Sequence, residues 1–242
     1  MTGFLLHCSG PLQSWGGPQY RNVYPTYRHP TRSALVGLIA AALGRELDAD
    51  NSDLARLCFT IRIDRPGQIE TDFHTIGGGY PPDLTPPLAK GGHRSKGGTI
   101  VTYRDYLADA AFTVAATGDR AVLDRASRAL ERPFYPPYLG RRSCPPDVPL
   151  VPWTTTADPV QELQRFPLHR PPRATGPVGF VYEQPPEPGA PADEELRQDY
   201  LGRQRFGDYL LWYRLLELPD AKAGGLGTDY LTALSDYRRT RS

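Results

Sequence analysis

Lysine is nearly missing from this 242-residue chain: Lys90, Lys96 and Lys222 are its only lysines, and the other 25 of its 28 basic residues are Arg. Cysteine is scarce too, with Cys8, Cys58 and Cys144 alone. Their wide gaps match no zinc-ligand spacing, and an odd, sparse set excludes a disulfide framework and suits a reducing compartment. No metal site and no cofactor is expected. No apolar run approaches the ~18 residues of a membrane span, and Phe4-Leu5-Leu6 is too short for a secretory leader. The chain therefore reads as cytoplasmic, with no membrane partner. Gly-x-Ser-x-Gly, phosphate-loop, HExxH and paired-carboxylate patterns are all absent, which removes the common hydrolase, nucleotidase and metalloprotease signatures.

Acids are absent from the first 45 residues, which carry Arg21, Arg28, Arg32 and Arg45. The formal net charge of +1 is therefore a sum of unlike segments. Residues 86–106 hold Lys90, Arg94, Lys96 and Arg104 against Asp105, with His93 beside them. Residues 138–173 hold Arg141, Arg142, Arg165, Arg170 and Arg173 against three acids, while 183–199 hold six acids against Arg197. Two readings of the Arg excess stand: coding composition, and recognition of phosphate by the planar guanidinium fork. If the fold gathers the basic segments on one face, that face binds anions; otherwise they are solvated charges.

What the chain has in plenty is Gly (24) and Pro (26), beside 39% apolar residues. That suffices for a core interrupted by many turns. Gly3 to Cys8 reads as a buried strand closed by Ser9-Gly10-Pro11. Residues 31–44 read as a helix, with Thr31 as N-cap, Gly44 as C-cap, and Leu35, Leu38, Ile39, Ala42 and Leu43 on one face. Residues 57–64 alternate with period two and stop at Arg65-Pro66-Gly67. Strands follow at 69–76, 99–103 and 110–117. A helix at 119–131 is capped by Asp119, and short strands come at 178–183 and 209–218. The acidic stretch 183–199 reads as a solvated loop, and Arg238-Arg239-Arg241 as a frayed tail. The order β-α-β-β-α-β over about 150 residues is that of an α+β, ferredoxin-like sandwich of the RRM type, whose sheet commonly meets single-stranded RNA.

Three constellations carry candidate chemistry. Arg28-His29-Pro30-Thr31-Arg32-Ser33 opens the first helix, where a cation opposes the helix dipole unless an anion shares the site. A bound phosphate is one answer for Arg32, and solvent or a distant acid is the other. Residues 77–98 hold seven Gly and four Pro between two strands. That length suits either a projecting basic arm or a mobile insertion. Tyr138-Leu139-Gly140-Arg141-Arg142 is a proline-bracketed loop with two guanidiniums, suited to a phosphate, an acidic partner, or a turn that happens to hold two Arg. Among the histidines, His74 and His93 are the candidate general acid–base groups for metal-free RNA cleavage. A strand histidine such as His74 is also read as a satisfied core residue, and His7 and His169 have no evident partner.

Several ordered segments resemble one family. These are Gly10-Pro11-Leu12-Gln13-Ser14-Trp15-Gly16, Pro30-Thr31-Arg32-Ser33 with Gly37-Leu38, and Asp72-Phe73-His74-Thr75. Tyr103-Arg104-Asp105-Tyr106-Leu107-Ala108-Asp109-Ala110 and Tyr138-Leu139-Gly140-Arg141-Arg142-Ser143-Cys144-Pro145 complete the set. Together they resemble the CasD subunits of type I-E CRISPR Cascade complexes, through most of residues 3–150 and weakly around Arg203-Gln204-Arg205-Phe206 and Trp212-Tyr213. The resemblance implies a RAMP fold: a ferredoxin-like domain over 1–150 with a β-hairpin thumb inserted around 72–107, and an irregular, β-containing C-terminal extension over 151–242 packed on it. It implies a non-catalytic subunit that caps the 5′ handle of the guide RNA, bridges to CasA and CasC, and meets target DNA only indirectly. The expected RNA-binding residues are Trp15, Arg28, Arg32, Lys90, His93, Arg94, Lys96, Tyr103, Arg104, Tyr138, Arg141 and Arg142. RNA-cleaving type I-C relatives use a Tyr–Lys–His arrangement; here Lys90 and His93 are separated by two glycines. The competing expectations are a metal-independent repeat endoribonuclease and a scaffold that touches RNA incidentally.

Overall fold

The structure is a computed structural model describing residues 3–17, 19–85, 88, 91–92, 98–155, 158–199, 206–218, 221 and 223–241. Strand β1 (Gly3–Ser9) is buried along its whole length. That is the expected state of a central strand covered on both faces. Two short strands follow, β2 (Leu12–Gln13) and β3 (Val23–Tyr24), then helix α1 (Arg32–Ala42). Thr31 takes the N-cap position in extended backbone without a side-chain cap bond. Gly44, at φ +75°, ends the helix in the left-handed region.

Strands β4 (Cys58–Arg65), β5 (Gln68–Gly77), β6 (Thr99–Ala108) and β7 (Ala111–Thr117) come next, then α2 (Arg120–Glu131), where the Asp119 carboxylate accepts from Val122 N as its sequence position implied. The C-terminal third adds β8 (Trp153–Thr155), α3 (Pro159–Arg165), β9 (Val178–Tyr182), β10 (Glu194–Asp199), β11 (Phe206–Leu216) and α4 (Thr228–Arg241).

Seven strands form one sheet in the order β10-β11-β9-β4-β7-β1-β8. Its β4-β7-β1-β8 part, with α1 and α2 as the crossovers, has the strand order of a ferredoxin-like unit, and β8 is the fourth strand of that unit. Between β4 and β7 the chain leaves this sheet. β5 and β6 pair in register from Gln68↔Ala108 to Gly77↔Thr99 as a projecting hairpin, and β2 and β3 flank β6 on its other edge. Asp109, at φ +55°, and Gly67, at φ +67°, turn the chain out of the main sheet and back at the hairpin root. A Cβ on Gly67 would lie 2.6 Å from Ala108 O, so this turn requires glycine.

The main sheet is covered twice. Phe4, Leu6, Phe59, Ile61, Phe112 and Val114 pack with α1 and α2 on one face. Leu5, Phe180 and Trp212 pack with Leu163, Phe166, Tyr230 and Leu234 of the α3–α4 segment on the other. The sheet face that an RRM-type domain offers to RNA is therefore filled by the protein's own C-terminal region.

Three sequence expectations are corrected here. The acidic stretch 183–199 is not simply a solvated loop: Glu183 is buried, and 194–199 form β10 against β11. The basic tail is the end of α4, where the Arg238 guanidinium donates to Pro152 O at 2.9 and 2.6 Å. His7 and His169, seemingly without partners, bond each other at 2.9 Å in the core. That core also holds Arg62, fully buried, bidentate to Asp64 and donating to Leu163 O, Phe166 O and Pro167 O. Burial opposes ionisation of Asp64, but the Arg62 guanidinium wins and holds its carboxyl below the ordinary range.

Candidate RNA interface

Opposite registry positions on β5 and β6 send side chains to alternate faces of the hairpin. One face carries Asp72, His74, Thr102, Arg104 and Tyr106, and the other carries Phe73 and Tyr103. The 138–144 loop closes on itself through Leu139 N to Cys144 O (2.7 Å) and Cys144 N to Arg141 O (2.9 Å). It delivers Arg141 to the first of these faces.

There the guanidiniums of Arg104 and Arg141 both lie against the Tyr24 ring, at 5.5 and 6.0 Å from its centroid. Arg141 also lies 4.8 Å over Tyr106 and donates through Nη2 to Tyr24 O. Arg104 donates from Nε to Thr102 Oγ1 at 3.2 Å. Among the described residues neither guanidinium meets a carboxylate, and Arg141 Nη1 is buried without a hydrogen-bond partner. Aromatic faces orient these two cations without neutralising their charge, which an incoming anion can balance. Arg28 and Arg142 are exposed, and Tyr138 is half-buried at the start of the same loop.

On the other face Phe73 and Tyr103 meet edge to face at 5.7 Å and remain 61% and 42% exposed. Val23, on the adjoining β3, is exposed beside them in register with Tyr103. This is an exposed apolar surface on a projecting arm, where either ring can stack on a planar group.

Two expected contacts are corrected. Trp15 is fully buried; its Nε1 donates to Gln13 Oε1 at 3.0 Å and its ring meets Phe112 edge-on, so it offers no surface to a base. Arg32 does not face a phosphate. Its guanidinium is buried against Glu183 at 2.5 Å, bonds Ala55 O, and lies over the Tyr209 ring at 4.8 Å. Of the two readings of this first-turn cation, the distant acid is the one realised. Burial pushes the Glu183 carboxyl up to about 7, against the pull of Arg32 and the Phe59 amide. Lys90, His93, Arg94 and Lys96 lie outside the described residues. His74 is not a core residue: it is half-exposed on the hairpin with Nδ1 3.3 Å from Asp72 Oδ2.

Sequence reasoning missed Tyr24, Tyr106 and Phe73. Counting back from the glycine-rich tip pairs position 73 with 103, so the hairpin register was the available signal for Phe73. Nothing local placed Tyr24 and Tyr106 around Arg141, because that contact joins segments far apart in the chain.

A ferredoxin-like unit with a projecting hairpin is the architecture of a RAMP-type protein. The model of the CRISPR-associated protein family (Cas_Cas5) matches residues 3–205, and the chain belongs to that family. It is 37% identical over 180 residues to "CRISPR system Cascade subunit CasD" of Escherichia coli (strain K12), which spans 67% of this chain and 75% of that protein. Its fold matches a chain of a "CRISPR RNA-guided surveillance complex" at a TM-score of 0.83 and 39% identity, covering 98% of this chain and 99% of that one. A second solved structure, "Crystal structure of Cas protein", matches at a TM-score of 0.69 and 29% identity, over 91% of this chain and 98% of the other.

Proposed function

We propose that this chain is a non-catalytic guide-RNA-binding subunit of a type I-E Cascade complex. It caps the repeat-derived 5′ handle of the guide, adjoins subunits of the CasA and CasC kinds, and meets target DNA only through the guide. The observation that carries the reading is the pair Arg104 and Arg141, oriented on one tyrosine ring at the hairpin root with no carboxylate partner among the described residues. Buried or interfacial cations are normally paired, and Arg32, Arg45 and Arg62 all are. Two without a counter-charge among the described residues suit the oxygens of successive phosphates. The similarity to a Cascade subunit supports the same assignment.

The test is titration of the full chain with a guide RNA carrying its 5′ handle across a range of salt. Arg104→Ala and Arg141→Ala each weaken binding and reduce the slope of log affinity against log salt by about one unit for each phosphate left without its cation. Unchanged affinity and slope in both variants would sink the assignment.

One observation favours a second reading, a metal-independent repeat endoribonuclease: the exposed His74–Asp72 pair on the hairpin. Incubation with cognate repeat RNA in EDTA separates the two. Intact RNA is the expected result, whereas cleavage abolished by His74→Ala or His93→Ala establishes the nuclease.

A further inference from the structure

The segment 11–17 touches three elements that bear on the candidate interface: β6, the stretch after β3, and the 138–144 loop. Gln13 is fully buried; its Nε2 donates to Ala110 O at 2.8 Å and Cys8 O at 3.3 Å, and its Oε1 accepts from Trp15. The segment thereby spans the end of β1 and the start of β7. Its backbone, as β2, pairs with Leu107 and Ala108 at the root of the hairpin. Ser14 Oγ donates to Asp105 O at 3.1 Å, directly beside Arg104 and Tyr106. Ser14 N donates to Leu139 O at 3.0 Å, which holds the loop that bears Arg141. Trp15 N donates to Thr26 Oγ1 at 2.8 Å and Gly17 N to Pro25 O at 3.0 Å, which holds the stretch after Tyr24.

The fit is closest at Gly140. It lies at φ +88°, and a Cβ there would be 1.6 Å from Ser14 O. No side chain fits that space, and neither partner is a flexible group able to swing away.

We infer that Gln13, Ser14 and Gly140 are positioning residues: the strap formed by 11–17 fixes the hairpin root, the Tyr24 segment and the Arg141 loop as one rigid unit, and so sets the spacing of the two phosphate-binding guanidiniums. The inference rests on the RNA-binding reading above for its purpose, but the strap itself is a mechanical statement that can be read without RNA. Preorganised placement of this kind raises affinity by removing the cost of ordering each group at the moment of binding.

The experiment uses the full chain in four forms beside the wild type: Gly140→Ala, Ser14→Ala, Arg141→Ala, and the double variant Gly140→Ala/Arg141→Ala. Each is titrated with the handle-bearing guide RNA across salt, and amide hydrogen exchange is followed without RNA. Gly140→Ala should lower the salt slope by about one unit, as Arg141→Ala does. It should cost nothing further in the Arg141→Ala background, because it acts through that residue. Without RNA, it should raise exchange at the Ser14 amide. Ser14→Ala should raise exchange at the hairpin root, with Ser14→Thr restoring protection because it keeps the hydroxyl.

Additive losses in the double variant, or a Gly140→Ala protein that melts lower yet keeps its slope, overturn the positioning role. So does a Ser14 amide that stays protected in Gly140→Ala. If Gly140→Ala does not fold, Ser14→Ala and its Thr rescue decide by exchange and slope alone. An Arg141→Ala variant with no effect on binding removes Arg141 from the phosphate reading instead, and the strap is then judged by exchange only.

Discussion

Arg32 sits in the first turn of α1, where the helix dipole disfavours a cation. The sequence places it beside Arg28 and His29 in a basic run that looks made for phosphate. In the fold it reaches Glu183, 151 positions away, and is buried with it. Arg141 shares with Arg32 its aromatic contacts and one unpartnered N–H, and differs in meeting no carboxylate among the described residues. Pairing with a carboxylate, not residue type, separates Arg32 from Arg141. Arg32→Ala should therefore leave the salt slope of RNA binding unchanged. It should destabilise the protein by about 1–3 kcal/mol, because Glu183, already pushed up to about 7, takes up a proton and is left, with Ala55 O, buried without its donor. Denaturant unfolding and the RNA titration together check this. A reduced slope without loss of stability would return Arg32 to the binding surface.

At the scale of elements, the hairpin β5–β6 was legible and the C-terminal helices were not. The hairpin's two strands flank a Gly/Pro-rich tip, a local pattern that left a projecting arm and a mobile insertion both open, and the family resemblance favoured the arm. Its two faces divide the work: Arg104 faces the cation–aromatic cluster, while Phe73 and Tyr103 present an exposed apolar surface. Phe73→Ala should weaken guide binding by about 1–3 kcal/mol, the usual range for a stacked base, with the salt slope retained. A fall in slope equal to that of Arg141→Ala would show that the aromatic face acts only by holding the phosphates. By contrast, α4 carries few apolar residues and ends in a basic run, so its sequence resembles a tail. It is a helix because Tyr230 and Leu234 find a ready-made apolar face on the main sheet. Strand β10 was hidden for a related reason. Its acids mark it as solvent-facing, and only β11 supplies the partner that makes it a strand.

For the whole molecule, the two-sided covering of the sheet has a consequence for pH. His7 lies between the sheet and α4, bonded to Thr113 and His169, and His169 stacks on Tyr230 with ring centroids 4.0 Å apart. Burial holds His7 down to about 3 and His169 down to about 4. Both values lie below the ordinary 6.5, so between about pH 6.5 and 4 the unfolded chain binds protons that the folded chain refuses. The two histidines should thus lower stability as the pH drops through that window, by about 1.4 kcal/mol per pH unit for each proton taken up only on unfolding. Glu183, held up to about 7, works the other way by one proton between about pH 7 and 4.5, so the net fall there is about one proton's worth. Urea unfolding at a series of pH values from 7 to 4 measures it. A flat profile would mean that the core admits charged histidine.

The sequence by itself determined the elements whose signal is local: β1, α1, β4, the two hairpin strands, β7 and α2. Their order suggested the ferredoxin-like class, but the fourth strand of that unit, β8, was not read from the sequence. Period, caps and turn residues act within a few positions of one another, so one chain read alone contains them. The tertiary structure decided which arginines remain open, which face of the sheet is free, and where the aromatic rings meet the cations. Those outcomes depend on partners far apart in the chain, such as Tyr24 with Arg104 and Arg141, Arg32 with Glu183, and His7 with His169. No local pattern encodes such pairs, because they exist only once packing has brought the two segments together.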